Sequence, residues 1–410
     1  MTRQLRRWWP PLLLGLATIG AYGLAYYGIG VLVPAIGEET GWSASILAAG
    51  FSLGVVGQGG FALVFGHVLD RHGSRRVFIF ALMVGSLLLL GASFVRGPIQ
   101  FMVVWAMGSA VVGGGLFYNV TMPATARLYP EKRALAFSVL TFVGAFASPI
   151  FYPLAAWFVD LWGWRGALQA MVALMVLCVA PAAFLVNAPA GQPSRAASRE
   201  PLRRLLAQPA IARTLVLFAV AGFANSAVLL HQVGAMQAAG LTLAAASGFA
   251  GARGFFQIPG RLLLSPVVAR FGISGSIGGC YALAATSTVA LVLAFSSDHP
   301  ELLAAYFTIV GGISLGLLSP LNGLFQADVY GDARLGLFSG ATVIVTSLAG
   351  ATGAFLAGVV IELTGTYWHV LLATAALQAA AVGALLWQRS APMPVSAPPT
   401  PTAEEARTPA

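Results

Sequence analysis

The sequence predicts an all-α membrane protein in which twelve transmembrane helices form two pseudo-symmetric six-helix bundles. Three observations predict it. Hydrophobic residues make up 58% of the 410 and charged residues only 9%, against about half and about a quarter in an ordinary globular chain, so water is not the main solvent of this protein. The apolar residues gather into about twelve runs of roughly 20, each able to cross about 30 Å of hydrocarbon as a helix that satisfies its own backbone groups. The two halves of the chain also align on each other without gaps through their second run.

In the first half the runs cover 11–34, 43–69, 77–95, 99–127, 134–159 and 165–186; in the second, 213–236, 243–268, 274–295, 302–327, 335–361 and 368–388. The first follows Arg3, Arg6 and Arg7 and imitates a signal peptide. It continues to Pro34, beyond the roughly 7–15-residue apolar core of a cleaved signal, and reads as an uncleaved span. Trp8 and Trp9 then belong at the membrane interface. After the sixth run comes the longest polar interruption, beginning NAPAGQPSRAASREPLRRLLAQ at Asn187. Residues 1–186 therefore read as the first bundle, 187–212 as a cytoplasmic linker and 213–389 as the second bundle. The Pro- and Ala-rich tail over 390–410 is expected to be disordered, because such a composition buries too little apolar surface to offset chain entropy.

GWSASILAAGFSLGVVGQGGFALVFGHVLDRHG, from Gly41, aligns on GLTLAAASGFAGARGFFQIPGRLLLSPVVARFG, from Gly240, so that Gln58 meets Gln257, Arg71 meets Arg270 and Gly73 meets Gly272. LYPEKRALAFS and VYGDARLGLFS then pair Tyr129, Arg133 and Phe137 with Tyr330, Arg334 and Phe338. Parallel repeats of this kind flank a midplane site in secondary transporters.

The net charge of +9 does not point to nucleic acid, because the basic residues sit in alternate loops rather than in one patch. Arg71, Arg75, Arg76, Arg127, Lys132, Arg133, Arg195, Arg199, Arg270, Arg334 and Arg389 fall on one side of the membrane and Arg96 and Arg165 on the other. The positive-inside bias then makes both termini cytoplasmic. Cys178 and Cys280 lie in separate spans without metal-ligand spacing and are expected to pack. Lys132, the only lysine, precedes Arg133 outside any phosphate loop, so ATP-driven pumping has no support. Zinc-protease and nucleophile-elbow motifs are missing too. No enzyme activity, cofactor or metal is expected, and the chain is expected to be a monomer in the lipid bilayer.

The eighth run holds the residues most at odds with lipid, RGFFQIPGRLLL over Arg253–Leu264. Counting from Arg270 at the cytoplasmic edge, Arg261 lies roughly 13–14 Å deep and Arg253 roughly 25 Å, at about 1.5 Å per residue. An arginine at the midplane costs about 2.5–3.5 kcal/mol on insertion scales. Asp70, Asp328, Asp160, Glu362, Glu38 and Glu39 all fall near span ends, so no acid of the chain matches the depth of Arg261. An anionic substrate could supply the charge, since a guanidinium grips a carboxylate bidentately. The alternative is that Arg261 snorkels to water or bonds backbone carbonyls. Arg253, Gln257 and Arg261 recur every four residues and share a helical face. Pro259 and Gly260 are expected to bend that helix. Gln58 should face Gln257 across the pseudo-symmetry axis; Tyr118, Asn119 and Asn322 either line the cavity or tie helices together. Tyr22, Tyr26, Tyr27 and Asn225 are weaker candidates. His231 is the one His, Asp or Glu well inside a span, which makes it a candidate for proton coupling or a packing group.

GHVLDRHGSRR, Gly66–Arg76, resembles the loop signature between the second and third spans of the major facilitator superfamily. The resemblance implies a conformational latch made by Gly66, Asp70, Arg71, Gly73, Arg75 and Arg76, with Arg133 and its repeat partner Arg334. Gly66 should admit a neighbouring helix closely, and Asp70 should accept from a helix N-terminus. In the second half Ala269 replaces the aspartate. GWRGAL, Gly163–Leu168, and GRLLLSPVVARFG, Gly260–Gly272, resemble the monocarboxylate transporter branch and its bacterial relatives. That resemblance implies that Arg261 holds a substrate carboxylate. Some members of that branch carry a proton on an aspartate four residues earlier; this chain has Gln257 there. The expected function is secondary transport of a small organic anion, a monocarboxylate, by alternating access, with protons or another ion as coupling partner, in a bacterial inner membrane. The competing readings are an exporter of amphiphilic drugs, whose span-4 arginine this chain lacks, and a ligand sensor, for which the loops offer no signalling domain.

Overall fold

The computed structural model describes residues 8–190, 208–330 and 335–389, and every regular element among them is helical. The chain begins with α1 (Trp9–Tyr22), a π turn over Gly23–Gly28 and α2 (Ile29–Thr40). There follow α3 (Ala44–His72), α4 (Ser74–Ala92), α5 (Pro98–Leu116), α6 (Tyr118–Leu128), α7 (Arg133–Gly144) and α8 (Ala147–Leu185). The second half comprises α9 (Pro209–Ala238), α10 (Leu243–Phe255), α11 (Gln257–Leu262), α12 (Leu264–Ala294), α13 (Pro300–Tyr330), α14 (Leu335–Thr364) and α15 (Trp368–Arg389). Ten helical stretches among the described residues are long and apolar enough to cross a membrane. Two helices meet at a kink at Gly163 within α8, and two more at Gly272 within α12.

Local chemistry repeats between the halves. The Ser43 hydroxyl caps α3 by accepting from the Ile46 N–H at 3.4 Å, and Thr242, its counterpart, caps α10 by accepting from the Ala245 N–H at 3.2 Å. Such caps satisfy one of the orphan donors at a helix start. Among the described residues the left-handed backbone positions are Gly41, Gly73, Gly163, Gly240, Gly272 and Gly365. They fall into three pairs, Gly41 with Gly240, Gly73 with Gly272 and Gly163 with Gly365, each closing the same junction in its own half. Only glycine takes that conformation without a Cβ penalty. Just after α8 the chain returns to the α3–α4 junction: the Ser74 N–H donates to the Ala188 carbonyl (3.1 Å) and the Ala188 N–H to the Ser74 hydroxyl (2.9 Å). Most of the expected linker, the tail and Arg334 lie outside the described residues.

The halves meet through α3 against α14, α8 against α10 and α2 against α9. Small residues make these contacts close, as lipid-embedded packing requires. A Cβ on Gly358 of α14 would lie 2.7 Å from Ala48 Cβ and 2.9 Å from the Ala44 carbonyl, and one on Gly251 of α10 would lie 3.2 Å from Pro153 Cδ. The Ser45 N–H also donates to Glu362 Oε2 across the halves at 3.3 Å. The Gly358 and Ser45 contacts sit at the end of the molecule that carries Ser43 and Thr242. At the opposite end, the Asp70 end, Gly66 and Gly323 face open space. The close helix approach expected at Gly66 is therefore absent in this conformation.

Candidate functional site

A cavity of about 300 Å³ lies between the halves, lined chiefly by the second. Breaks in the helices place its polar groups. α10 stops at Phe256 and α11 ends at Leu263, each in a single tight turn, and Pro259 lies in the short helix between them, where its missing N–H weakens the ladder. Gly316 lets the Gln257 backbone approach α13, since any side chain there would collide with it. Arg253 and Gln257 thus line the cavity from α10 and α11, Asn225 from α9, Tyr281 from α12, Asn322 from α13 and Gln378 from α15. Tyr26 and Tyr27, in the π turn of the first half, cover its other side.

Arg253 is the charged group of this cavity and is only 4% exposed. Its Nη1 donates to Gln232 Oε1 at 3.2 Å, and its guanidinium carbon stands 4.4 Å from the centre of the Phe307 ring. Gln232 Nε2 in turn donates to the Tyr152 hydroxyl at 2.7 Å. Tyr152 belongs to α8, so this relay crosses from one half to the other. Arg253 Nε is buried without a hydrogen-bond partner, and no carboxylate pairs with the guanidinium: the ion pairs among the described residues are Arg127–Asp70 and His299–Glu301. The Tyr281 hydroxyl and Asn322 Oδ1 are also buried and unpartnered, and both belong to the same cavity lining.

Other expected site residues lie elsewhere. Arg261 is half-buried and outside the cavity lining, although its charge reaches Tyr27 and Tyr118 in the first half. Gln58 does not share a cavity with Gln257. It packs on Gly113 and borders a separate void of about 10 Å³ with Tyr26. Asn119 donates through Nδ2 to the Gly114 carbonyl at 2.8 Å, satisfying an acceptor freed where α5 breaks at the extended Phe117. Tyr118 and Tyr22 belong to an aromatic cluster at that break, with Tyr22 stacked on Phe117 at 3.6 Å. His231 is 3% exposed, and its Nε2 lies 3.2 Å from the Ala354 carbonyl, a tie between α9 and α14 away from the cavity lining.

At the Asp70 end, Asp70 accepts from Arg127, whose Nη1 also donates to the Leu69 carbonyl at 2.9 Å. Among the described residues no helix N-terminus is its partner. A guanidinium at the C-terminal end of α6 reaches it first and confines the pair to the first half. Gly73 provides the turn between α3 and α4; Arg71, Arg75, Arg76 and Arg133 are exposed there. Sequence reasoning passed over Gln232, Tyr152, Tyr281 and Gln378, although a glutamine inside an apolar run carries the same signal that singled out Gln257. Gln378 Oε1 accepts from Thr288 at 2.8 Å. Among the described residues no three His, Cys, Asp or Glu side chains gather to hold a metal ion.

Known proteins share this architecture. The chain resembles a point mutant of the nucleoside transporter NupG with a TM-score of 0.80 at 16% identity, over 93% of this chain and 99% of that one. It resembles a D-xylose-proton symporter with a TM-score of 0.74 at 15% identity, over 94% and 98%. In sequence it is 26% identical over 186 residues to an uncharacterized 38 kDa protein of Thermoproteus tenax and 27% identical over 142 residues to a gallate transporter of Pseudomonas putida. These matches take in 45% and 35% of this chain, and they span 48% and 31% of those relatives, about half their length or less. The family model of the Major Facilitator Superfamily matches residues 15–354. With that match over most of its length, an all-helical fold and a cavity between two halves, the chain belongs to the Major Facilitator Superfamily and is an integral membrane transporter rather than an enzyme.

Proposed function

We propose that this transporter moves a small organic anion, a monocarboxylate, by alternating access between two six-helix bundles of twelve spans, and that Arg253 holds the carboxylate. The observation that carries this reading is a guanidinium that is buried, lacks a carboxylate partner among the described residues, keeps an unpartnered Nε and belongs to a residue lining a cavity. A buried charge without a counter-charge is costly, and a bound anion removes that cost while gaining a charge-assisted hydrogen bond. The resemblance to a gallate transporter also favours a carboxylate cargo. Counting separate spans on either side of the kinks at Gly163 and Gly272 supports the twelve-span reading. Arg261, two turns nearer the Asp70 end, attracts the anion along the path toward Arg253. The Asp70 end faces the cytoplasm of a bacterial inner membrane, as the loop arginines imply. His231, tied to a backbone carbonyl outside the cavity, acts as a packing group.

Uptake of radiolabelled carboxylates into proteoliposomes tests this directly. Arg253→Ala should abolish saturable uptake, and Arg253→Lys should keep the charge but lose the fork geometry, giving a KM raised about tenfold or more. Arg261→Ala should raise KM less. Normal anion uptake by a folded Arg253→Ala protein would overturn the reading. Transport of cationic amphiphiles alone would favour a drug exporter, and saturable binding without flux a sensor.

A further inference from the structure

Three buried, unpartnered polar atoms belong to residues that line the cavity, and they differ in chemistry. Arg253 Nε can only donate, Asn322 Oδ1 can only accept, and the Tyr281 hydroxyl does either. All three belong to residues lining one cavity, and they come from α10, α13 and α12. Arg253 and Tyr281 are 4% and 3% exposed. A simple apolar acid satisfies the arginine and leaves the acceptor bare. Leaving a buried acceptor unpaired forfeits its whole desolvation cost, so such a site discriminates strongly against an analogue lacking the matching donor. The remaining lining includes Phe218, Tyr26, Tyr27 and Leu318, flat or apolar surfaces suited to a planar ring. A cavity of about 300 Å³ is also roomier than a two- or three-carbon acid fills.

We infer that the site reads its substrate at two ends and is selective for ring carboxylates bearing hydroxyl groups: the carboxylate meets Arg253 and a ring hydroxyl donates to Asn322 Oδ1, with Tyr281 bonding the same edge. The inference rests on the anion reading above and narrows it. The test compares uptake of benzoate, 3,4-dihydroxybenzoate and 3,4-dimethoxybenzoate by the purified full-length protein in proteoliposomes. The dimethoxy acid has acceptors on the same ring carbons but no donor. The wild type should take up the dihydroxy acid with a KM about ten- to a hundredfold below those of the other two. Tyr281→Phe and Asn322→Ala should each draw that ratio toward one. Because the ratio is read first on the wild type, a variant that misfolds does not decide the outcome. Equal KM values for the three benzoates, or a preference for the dimethoxy acid, would overturn the inference and leave the anion reading intact. So would transport of short-chain monocarboxylates with no benzoate moving. Failure of every carboxylate to move or compete would instead remove the anion reading itself.

Discussion

Gly358→Ala adds one methyl group where the two halves press together, and its consequence can be worked from the contact. The new Cβ would stand 2.7 Å from Ala48 Cβ and 2.9 Å from the Ala44 carbonyl oxygen. Neither can swing away, since one is the stub of a fully buried alanine and the other is backbone in the first turn of α3. Overpacking of this kind costs about 1–3 kcal/mol. The cost falls only on the conformation in which α3 and α14 touch, so it shifts the equilibrium toward the state in which they part by about 5- to 150-fold. Leu47, 1% exposed, lies beside this contact and reports the opening. In a background with Cys178→Ala and Cys280→Ala, the rate at which an impermeant maleimide labels Leu47→Cys should rise by that factor when Gly358→Ala is added. Gly383→Ala, at a position with open space around it, should leave the rate unchanged. An unaltered labelling rate in a folded Gly358→Ala protein would refute the argument that this contact holds the Ser43 end shut.

Other perturbations follow from the same geometry. Tyr152→Phe removes the acceptor of the Gln232 Nε2 hydrogen bond that crosses the halves; a buried donor left unpaired costs about 1–3 kcal/mol, so the Leu47→Cys labelling rate should again rise. Gly311→Leu fills the space that Arg253 Nε occupies, 3.1 Å from the added Cβ, and should raise the KM for anions about tenfold or more while the protein elutes normally on size exclusion. His231→Gln keeps a donor near the Ala354 carbonyl and should leave the pH profile of transport unchanged; a displaced profile would make His231 a coupling group. Asp70→Ala breaks an ion pair whose carboxylate is 52% exposed, so thermal unfolding in detergent should register no more than about 1 kcal/mol.

Much of the fold was legible in the sequence for one reason. Hydrocarbon offers no hydrogen bonds, so a run of apolar residues has to close its own backbone as a helix. The repeat was legible because Gly41 and Gly73 recur as Gly240 and Gly272, and the same backbone conformation demands glycine at both members of each pair. A third pair, Gly163 with Gly365, escaped notice because the residues around it do not align as visibly. Arg253 and Gln257 were legible as candidates because charge and amide groups are expensive at that depth. Gln58 and Asn119 carried an equal signal but serve packing and a freed carbonyl. A polar residue advertises only that it needs a partner, not which one.

The sequence by itself determined that the chain is a membrane-embedded helical repeat and that its eighth run carries two charges needing company. It could not decide which of the two enters the cavity. Even four-residue spacing puts Arg253, Gln257 and Arg261 on one face of an unbroken helix, whereas the turn at Phe256 interrupts the helix after Arg253 and the cavity lining takes in Arg253 and Gln257 but not Arg261. The acceptor on Asn322 and the hydroxyl of Tyr281 reach the same cavity only because helices distant in the chain pack side by side. Periodicity describes one helix at a time, and a binding site is set by the rotation of several helices against one another.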